Sequence, residues 1–228
     1  MSGTYRRPAR SGARAPSRSP SSMRSAARNF AQRADDGFCL YAHDGDRKYV
    51  NVAERRRLLA WAATQPLAEF AFIEMLAWTG ARISEVLALR VRDIQLDAGV
   101  AALTTLKRRR HVVREVPLPP QLVRRLRLLI GPGGNSTSET APRIWPFCRA
   151  TGWRIVKRGM VAAGITGVRA TPRGLRHGFA VSALQSGVPV TLAQKWLGHA
   201  RLATTAIYAN ALGPEERSLA DRLWKAAA

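Results

Sequence analysis

Two side chains near the end of the chain could carry out chemistry together: His199 and, shortly after it, Tyr208. A tyrosine hydroxyl can act as a nucleophile, and fixed cations can neutralise the charge that builds up on a phosphate under attack. Four cations upstream lie in contexts that could aim them at a phosphate: Arg82, Lys107, Arg173 and Arg176. The combination predicts attack of a phenolate on a phosphodiester of a nucleic acid.

The composition favours a nucleic acid as the partner of such a site. The 228 residues carry a formal net charge of +22, and 46% of them are hydrophobic, which allows a substantial core. An excess of cations this large favours DNA or RNA, with a membrane surface as the lesser alternative. No apolar run is long enough to span a membrane. The Arg- and Ser-rich start has no apolar signal core, so secretion is not expected, and a transit peptide fits only weakly.

The cysteines give no indication of a metal site. Cys39 and Cys148 are far apart and show no metal-ligand spacing. Free thiols in a reducing compartment are therefore expected. We expect a protein of the bacterial cytoplasm, associated with the nucleoid, that uses neither a metal nor a cofactor.

The chain is expected to divide into a basic arm, residues 1–48, and a folded domain, residues 49–228. Residues 1–36 contain eight arginines and no acidic side chain before Asp35, with Ser, Pro, Gly and Ala between them. This composition is typical of disorder. Nonspecific DNA contact fits the arm, and so does a solubilising leader or a start codon assigned too early.

Hydrophobic periodicity and capping residues predict the elements that position the candidate side chains. Asn51 with Glu54 forms a capping box, and Thr171 before Pro172 is a helix start. Helices are expected over about 51–65, 67–79, 82–89, 120–129, 147–163, 172–187, 191–197, 202–208 and 214–227. Strands over 100–105 and 111–116 flank a cationic turn that contains Lys107. The predicted class is mainly α with a small antiparallel β-sheet.

Short motifs around the candidate residues resemble those of the tyrosine recombinases, the phage-integrase family. Residues 79–89, TGARISEVLAL, resemble the first-arginine motif of that family, and residues 175–180, LRHGFA, resemble the second. Residues 197–199, LGH, resemble the histidine motif of the family, and residues 204–208, TTAIY, resemble its nucleophile motif. The motifs occur in the family's order over about residues 50–228. The resemblance implies the tyrosine recombinase catalytic domain fold.

The resemblance also implies a role for each matching residue. Tyr208 matches the nucleophile that forms a 3′-phosphotyrosyl bond, and Arg82 and Arg176 match the two arginines that clamp the scissile phosphate. His199 matches the histidine that hydrogen-bonds this phosphate. Lys107 matches the lysine that acts as general acid toward the leaving 5′-oxygen.

The chain departs from the family pattern at Arg173, which stands where the His-x-x-Arg motif usually has histidine. Arginine cannot accept the phenolic proton at neutral pH. That proton would pass to water, His199 or the DNA phosphate, and Arg173 would help to clamp phosphate. His177 is not expected to replace the missing histidine, because neighbouring helical residues face different ways. Glu85, one turn after Arg82, is expected to support the site.

The resemblance implies a site-specific DNA recombinase or integrase. Double-stranded DNA is the expected partner, with a homo-oligomer assembled on it, accessory proteins as candidate partners and no membrane. The family usually carries an N-terminal helical clamp domain, so a match that begins near residue 50 implies a minimal or truncated recombinase. Two alternatives stay open. One is a noncatalytic DNA-binding protein, either a decayed recombinase or a regulator, and the other is DNA relaxation like that of type IB topoisomerases.

Overall fold

The computed structural model describes residues 39–105, 112–132, 141–208 and 224. Its helices are α1 (Val52–Ala62), α2 (Leu67–Thr79), α3 (Ile83–Ala88), α4 (Pro120–Ile130), α5 (Arg149–Ala162), α6 (Pro172–Gln185), α7 (Val190–Leu197) and α8 (Ala203–Ala206). Its strands are β1 (Ile94–Gln95), β2 (Val100–Thr105) and β3 (Val112–Pro117). The prediction of a mainly α fold with a small antiparallel β-sheet is confirmed.

The strands form one antiparallel sheet in the order β1-β2-β3. β2 and β3 pair along their full length, which places Leu103 opposite Arg114, and both side chains lie on the buried face. The two-residue strand β1 was not predicted, because so short a run shows no alternation. Lys107 and the turn that contains it lie outside the described residues.

The predicted helix starts are present at α1 and α6. Asn51 Oδ1 accepts from the N–H of Glu54 at 2.8 Å, and the Glu54 carboxylate accepts from the N–H of Asn51 at 2.9 Å. This reciprocal pair is the predicted capping box. Thr171 Oγ1 accepts from the N–H of Gly174 at 3.0 Å, with Pro172 as the first helical residue. Local hydrogen bonds therefore set where the helix that carries Arg176 begins.

Helix α2 lies at the centre of the core. Its buried residues run almost without interruption from Ala71 to Thr79, so every face of the helix is covered. It packs against α1, α4 and α6. A second, smaller apolar cluster includes Phe179 of α6, Leu197 of α7 and Tyr208. The candidate nucleophile therefore packs outside the main core.

The folded part begins before residue 49, where the sequence placed its boundary. Leu40 is buried in the smaller cluster with Phe179. The N–H of Val50 donates to Gly174 O at 3.0 Å, and a Cβ at Gly178 would lie 2.0 Å from Val50 O. The segment before α1 thus packs directly on α6, and glycine at 178 permits this approach. Residues 1–38 of the predicted arm lie outside the described residues.

The predicted last helix, residues 214–227, also lies outside the described part of the chain except at Trp224. That residue is helical, and its side chain is exposed.

Replacement of Gly80 by alanine should destabilise the protein more than the same change at Gly187. Both glycines follow a helix at positive φ, 61° and 83°, where a Cβ costs roughly 1–2 kcal/mol. Only Gly80 is also crowded, because its Cβ would lie 2.4 Å from Phe179 Cδ1, and overpacking adds about 1–3 kcal/mol. Urea unfolding followed by circular dichroism measures both losses. Equal losses would contradict a steric role for Gly80.

Candidate active site

Arg82 is positioned by the turn that ends α2 and by the first turn of α3. Its backbone N–H donates to Glu85 Oε2 at 2.9 Å, and its Nη1 donates to Glu85 Oε1 at 2.7 Å. The Glu85 side chain is fully buried, whereas the Arg82 side chain is 29% exposed. Glu85 therefore fixes both ends of Arg82 and leaves its guanidinium partly accessible to a ligand.

A second arginine, Arg114 of β3, binds the same carboxylate. Its Nη2 donates to Glu85 Oε2 at 2.6 Å, its Nη1 to Thr105 Oγ1 at 3.1 Å and its Nε to Trp196 O at 2.7 Å. Burial opposes the charge of Glu85, but the charge and hydrogen bonds of Arg114, with the hydrogen bonds of Arg82, outweigh it and lower the pKa of the carboxyl. Glu85 is therefore ionised at neutral pH.

The buried Arg176 of α6 joins the ends of two other helices. Its Nη1 donates to Gly80 O at 2.7 Å and its Nη2 to Leu197 O at 2.6 Å. Gly80 follows the last residue of α2 and Leu197 is the last residue of α7. Carbonyls at a helix C-terminus lack partners within the helix. Burial and the neighbouring Arg82 lower the pKa of Arg176 to about 10, so it is charged at neutral pH. A guanidinium has five N–H donors, and these bonds use two of them.

His199 follows α7 and lies face to face with the candidate nucleophile. Its backbone N–H donates to Gln194 O at 3.2 Å, and its Nδ1 lies 3.0 Å from Thr205 Oγ1. Its ring stacks on that of Tyr208 with 6.1 Å between centroids and 14° between planes. Burial, followed by the charge of Arg176 and Arg82, lowers the pKa of His199 to about 3. The imidazole is therefore neutral at physiological pH.

Tyr208 lies just after α8 and is only 1% exposed. Its Oη is 2.8 Å from Nδ1 of His177. Burial raises the pKa of the phenol, while the charges of Arg176, Arg173 and Arg82 act to lower it. Burial outweighs these charges, so the pKa is raised and the phenol is protonated at neutral pH. Its hydroxyl lies in the positive field of three guanidinium groups.

His177, which was not expected to replace the missing histidine, lies within hydrogen-bonding distance of the Tyr208 hydroxyl. Adjacent helical residues do face different ways, but α6 is buried over nearly its whole length, from Gly174 to Leu184. Arg176 consequently reaches the ends of α2 and α7, while His177 meets Tyr208 on another side. Arg173 lies one turn before His177 and donates from its Nε to His177 Nε2 at 3.2 Å.

The structure brings together most of the side chains that the sequence singled out. Arg82, Arg173 and Arg176 all act electrostatically on Tyr208, and His199 stacks on it. The predicted acid, Lys107, lies outside the described residues.

Sequence reasoning missed Arg114 as a member of the site. The signal was the alternation of β3, in which Val116 points inward and Arg114, two residues earlier, must share its face. An arginine on an inward face requires an anionic or carbonyl partner.

Among the residues that the structure describes, no cluster of three His, Cys, Asp or Glu side chains could hold a metal ion. No helix in this part of the chain is both long and apolar enough to cross a membrane.

Comparison with known families decides the relationship. The model of the phage integrase family matches residues 48–213. The chain belongs to the phage integrase family.

Two curated relatives are tyrosine recombinases. XerD of Corynebacterium glutamicum is 32% identical over 146 residues, which cover 62% of this chain and 48% of the relative. XerA of Pyrococcus furiosus is 28% identical over 170 residues, which cover 71% of this chain and 56% of the relative. The chain spans about half the length of these two relatives.

Solved structures of family members share the fold. A crystal structure of XerA recombinase superposes with a TM-score of 0.64 at 27% identity and covers 76% of this chain and 64% of that one. The Tn1549 transposon integrase, solved in complex with transposon right end DNA, gives a TM-score of 0.60 at 19% identity. The match covers 89% of this chain and 77% of that one. The predicted tyrosine recombinase catalytic domain fold is therefore confirmed.

Loss of the Arg114 guanidinium should be far more damaging than loss of an exposed one. Arg114→Met leaves the buried carboxylate of Glu85 without its closest charge partner, and breaking a buried pair from one side costs about 3–5 kcal/mol. Arg127→Met is the matched control, because Arg127 and Asp97 are 57% and 87% exposed and such pairs contribute about 0–1 kcal/mol. Urea unfolding gives both values. Similar losses in the two variants would show that the buried pair is not structural.

The stability of the protein should fall as the pH drops below 6.5. The folded-state pKa values of His177 and His199 are lowered from 6.5 to about 4 and about 3. Between pH 6.5 and about 4 the unfolded chain therefore binds protons that the folded chain does not, which favours unfolding. Free energies of unfolding measured at several pH values in this window test the slope. His199→Asn removes one of the two titrating groups and should make the unfolding free energy depend less steeply on pH. An unchanged slope would contradict a lowered pKa for His199.

Proposed function

We propose that the protein is a site-specific DNA recombinase that breaks and rejoins strands through a covalent bond between Tyr208 and a 3′-phosphate. The observation that carries the proposal is the setting of the Tyr208 hydroxyl, beside Arg82, Arg173 and Arg176 and hydrogen-bonded to His177. A tyrosine buried only for packing needs no cations around its hydroxyl. A phenolate that attacks a phosphate does.

The charge balance of the site favours an anion. Among the described residues, Arg82 and Arg114 both bond to the carboxylate of Glu85, and the charges of all three groups act on Arg176. Three guanidinium groups against one carboxylate leave an excess of positive charge in a buried setting. The monoanionic phosphate of a DNA strand would neutralise part of this excess, and guanidinium groups bind phosphate with paired hydrogen bonds.

Cleavage follows from this arrangement. Tyr208 Oη attacks phosphorus, and the bond between phosphorus and the 5′-oxygen breaks with its electron pair on that oxygen. The phenolic proton passes to water, and the 5′-oxygen takes a proton from Lys107, the predicted acid. Arg82 and Arg176 neutralise the nonbridging oxygens, with His199 as a further hydrogen-bond partner. Rejoining reverses these steps: a 5′-hydroxyl attacks phosphorus and releases the tyrosine.

Double-stranded DNA is the proposed substrate. The net charge of +22 supports binding to the DNA backbone through release of counterions. Exchange between two duplexes needs one Tyr208 for every strand that is cut, so we propose that several copies of the chain assemble on DNA. Accessory proteins are candidates for a part in this assembly.

A nicked suicide duplex tests the chemistry directly. After cleavage beside the nick, the short strand with the 5′-hydroxyl diffuses away and the protein remains bound to the 3′ end. A library of such duplexes with randomised sequence around the nick removes the need to know the target. We expect a covalent complex with the wild type and none with Tyr208→Phe. Tyr41→Phe is the matched control, because Tyr41 is 41% exposed and lies in the segment before α1.

Two outcomes would replace the proposal. If the wild type forms no covalent complex with the library, a noncatalytic DNA-binding role takes its place. If the protein relaxes a supercoiled plasmid and yields no recombinants from paired sites that it cleaves, a relaxing activity takes its place.

A further inference from the structure

The contact between Arg173 and His177 determines which nitrogen of the imidazole carries a proton. Arg173 Nε donates to His177 Nε2 at 3.2 Å, and a guanidinium has no acceptor. Nε2 must therefore offer its lone pair, and the single proton of the neutral ring must lie on Nδ1. Nδ1 is the atom 2.8 Å from Tyr208 Oη. It follows that His177 donates a hydrogen bond to the tyrosine oxygen.

The charged form of His177 does not fit this geometry. A proton on Nε2 would point at the N–H of Arg173. Among the described residues, five cationic or titratable groups act on the histidine or its partner: Arg173 and Arg176 on α6, Arg82 before α3, Lys48 from the segment before α1, and His199 stacked on Tyr208. Burial and the charges of Arg173, Arg176 and Lys48 lower the pKa of His177 to about 4, which agrees with a neutral ring.

We propose that Arg173 and His177 form a positioning pair, in which Arg173 holds the Nδ1–H of His177 on the Tyr208 oxygen and so stabilises the phenolate that attacks DNA. This inference rests on the proposed function. The pair accounts for arginine at a position where the family pattern has histidine. Arg173 acts through the histidine one turn later and takes no proton itself.

The proton balance of the attack follows from the direction of this hydrogen bond. His177 already carries its proton on Nδ1, so it cannot accept the one from the phenol. The phenolic proton leaves to water, as the new bond to phosphorus forms and the 5′-oxygen departs with its electron pair and receives a proton from the acid. His177 ends the step with the same proton with which it began, so it is a hydrogen-bond donor and not a base.

The tautomer can be measured without any DNA. Nitrogen NMR of the full-length protein labelled at histidine distinguishes Nδ1–H from Nε2–H rings. We expect His177 as the Nδ1–H form in the wild type and a shift toward Nε2–H in Arg173→Met. Lys48→Met is the matched control, because it removes a neighbouring charge and leaves the Arg173 donor in place, and it should keep the Nδ1–H form. An Nε2–H ring in the wild type would overturn the proposal.

The role in cleavage is tested by single-turnover rates on a trapped suicide duplex. His177→Leu removes the donor, and loss of one such donor typically slows the chemical step about 10²-fold or more. The rising limb of its rate–pH profile should also move to higher pH, because the phenolate is less stable. His177→Asn places an amide donor near the position of Nδ1 and should recover much of the rate. Circular dichroism of both variants checks that they fold.

Each result decides between the pair and the function on which it rests. Tyr208-dependent cleavage at the wild-type rate and pH profile in His177→Leu would overturn the positioning pair and leave the recombinase proposal intact. Faster cleavage in His177→Leu would also overturn it, because the contact would then restrain the nucleophile. If the wild type forms no covalent complex, the proposed function fails and the catalytic role of the pair fails with it, whatever the tautomer.

Discussion

One buried carboxylate, Glu85, allows the cations of the site to be held side by side. Guanidinium groups repel one another, and burial removes the water that would screen them. Glu85 accepts from the guanidinium of Arg82 with Oε1 and from that of Arg114 with Oε2. Burial alone would favour its neutral form, yet the charge of Arg114 and the hydrogen bonds from Arg114 and Arg82 together outweigh that cost, and the pKa is lowered. The carboxylate therefore stays ionised, and the arginines stay together, throughout the neutral range.

The same arginines also hold the fold together at its helix ends. Arg176 donates to carbonyls at the C-terminal ends of α2 and α7, and Arg114 donates to Trp196 O in α7. Such carbonyls lack partners within their helices, and leaving them unpaired while buried is costly. Arg176, which is proposed to face the phosphate, therefore also links α2, α6 and α7, and Arg114 links β3 to α7. The geometry of the site and the packing of these elements cannot vary independently.

Features set by local sequence could be predicted from the residues, and the grouping of Arg82, Arg176, His199 and Tyr208 followed from the family resemblance, but the contacts of Arg114 and His177 could not be predicted. The caps at Asn51 and Thr171 and the glycine that ends α2 each depend on residues within one turn, so the motifs around them indicated the right helices. Arg114 meets Glu85 across 29 residues, and His177 meets Tyr208 across 31. Periodicity shows which residues turn inward, but it does not show which inward residues meet.

The phosphate itself makes a neutral hydrogen-bond donor valuable in the proposed reaction. The charges of Arg176, Arg173 and Arg82 favour ionisation of Tyr208 in the DNA-free protein, although burial outweighs them. A bound phosphodiester brings a negative charge that offsets part of this field, so the arginines favour the phenolate less once substrate is present. A hydrogen bond from an uncharged ring is short-ranged and keeps its strength when the net charge of its surroundings falls. His177 is therefore able to act on Tyr208 at the stage when the arginines are occupied by the phosphate.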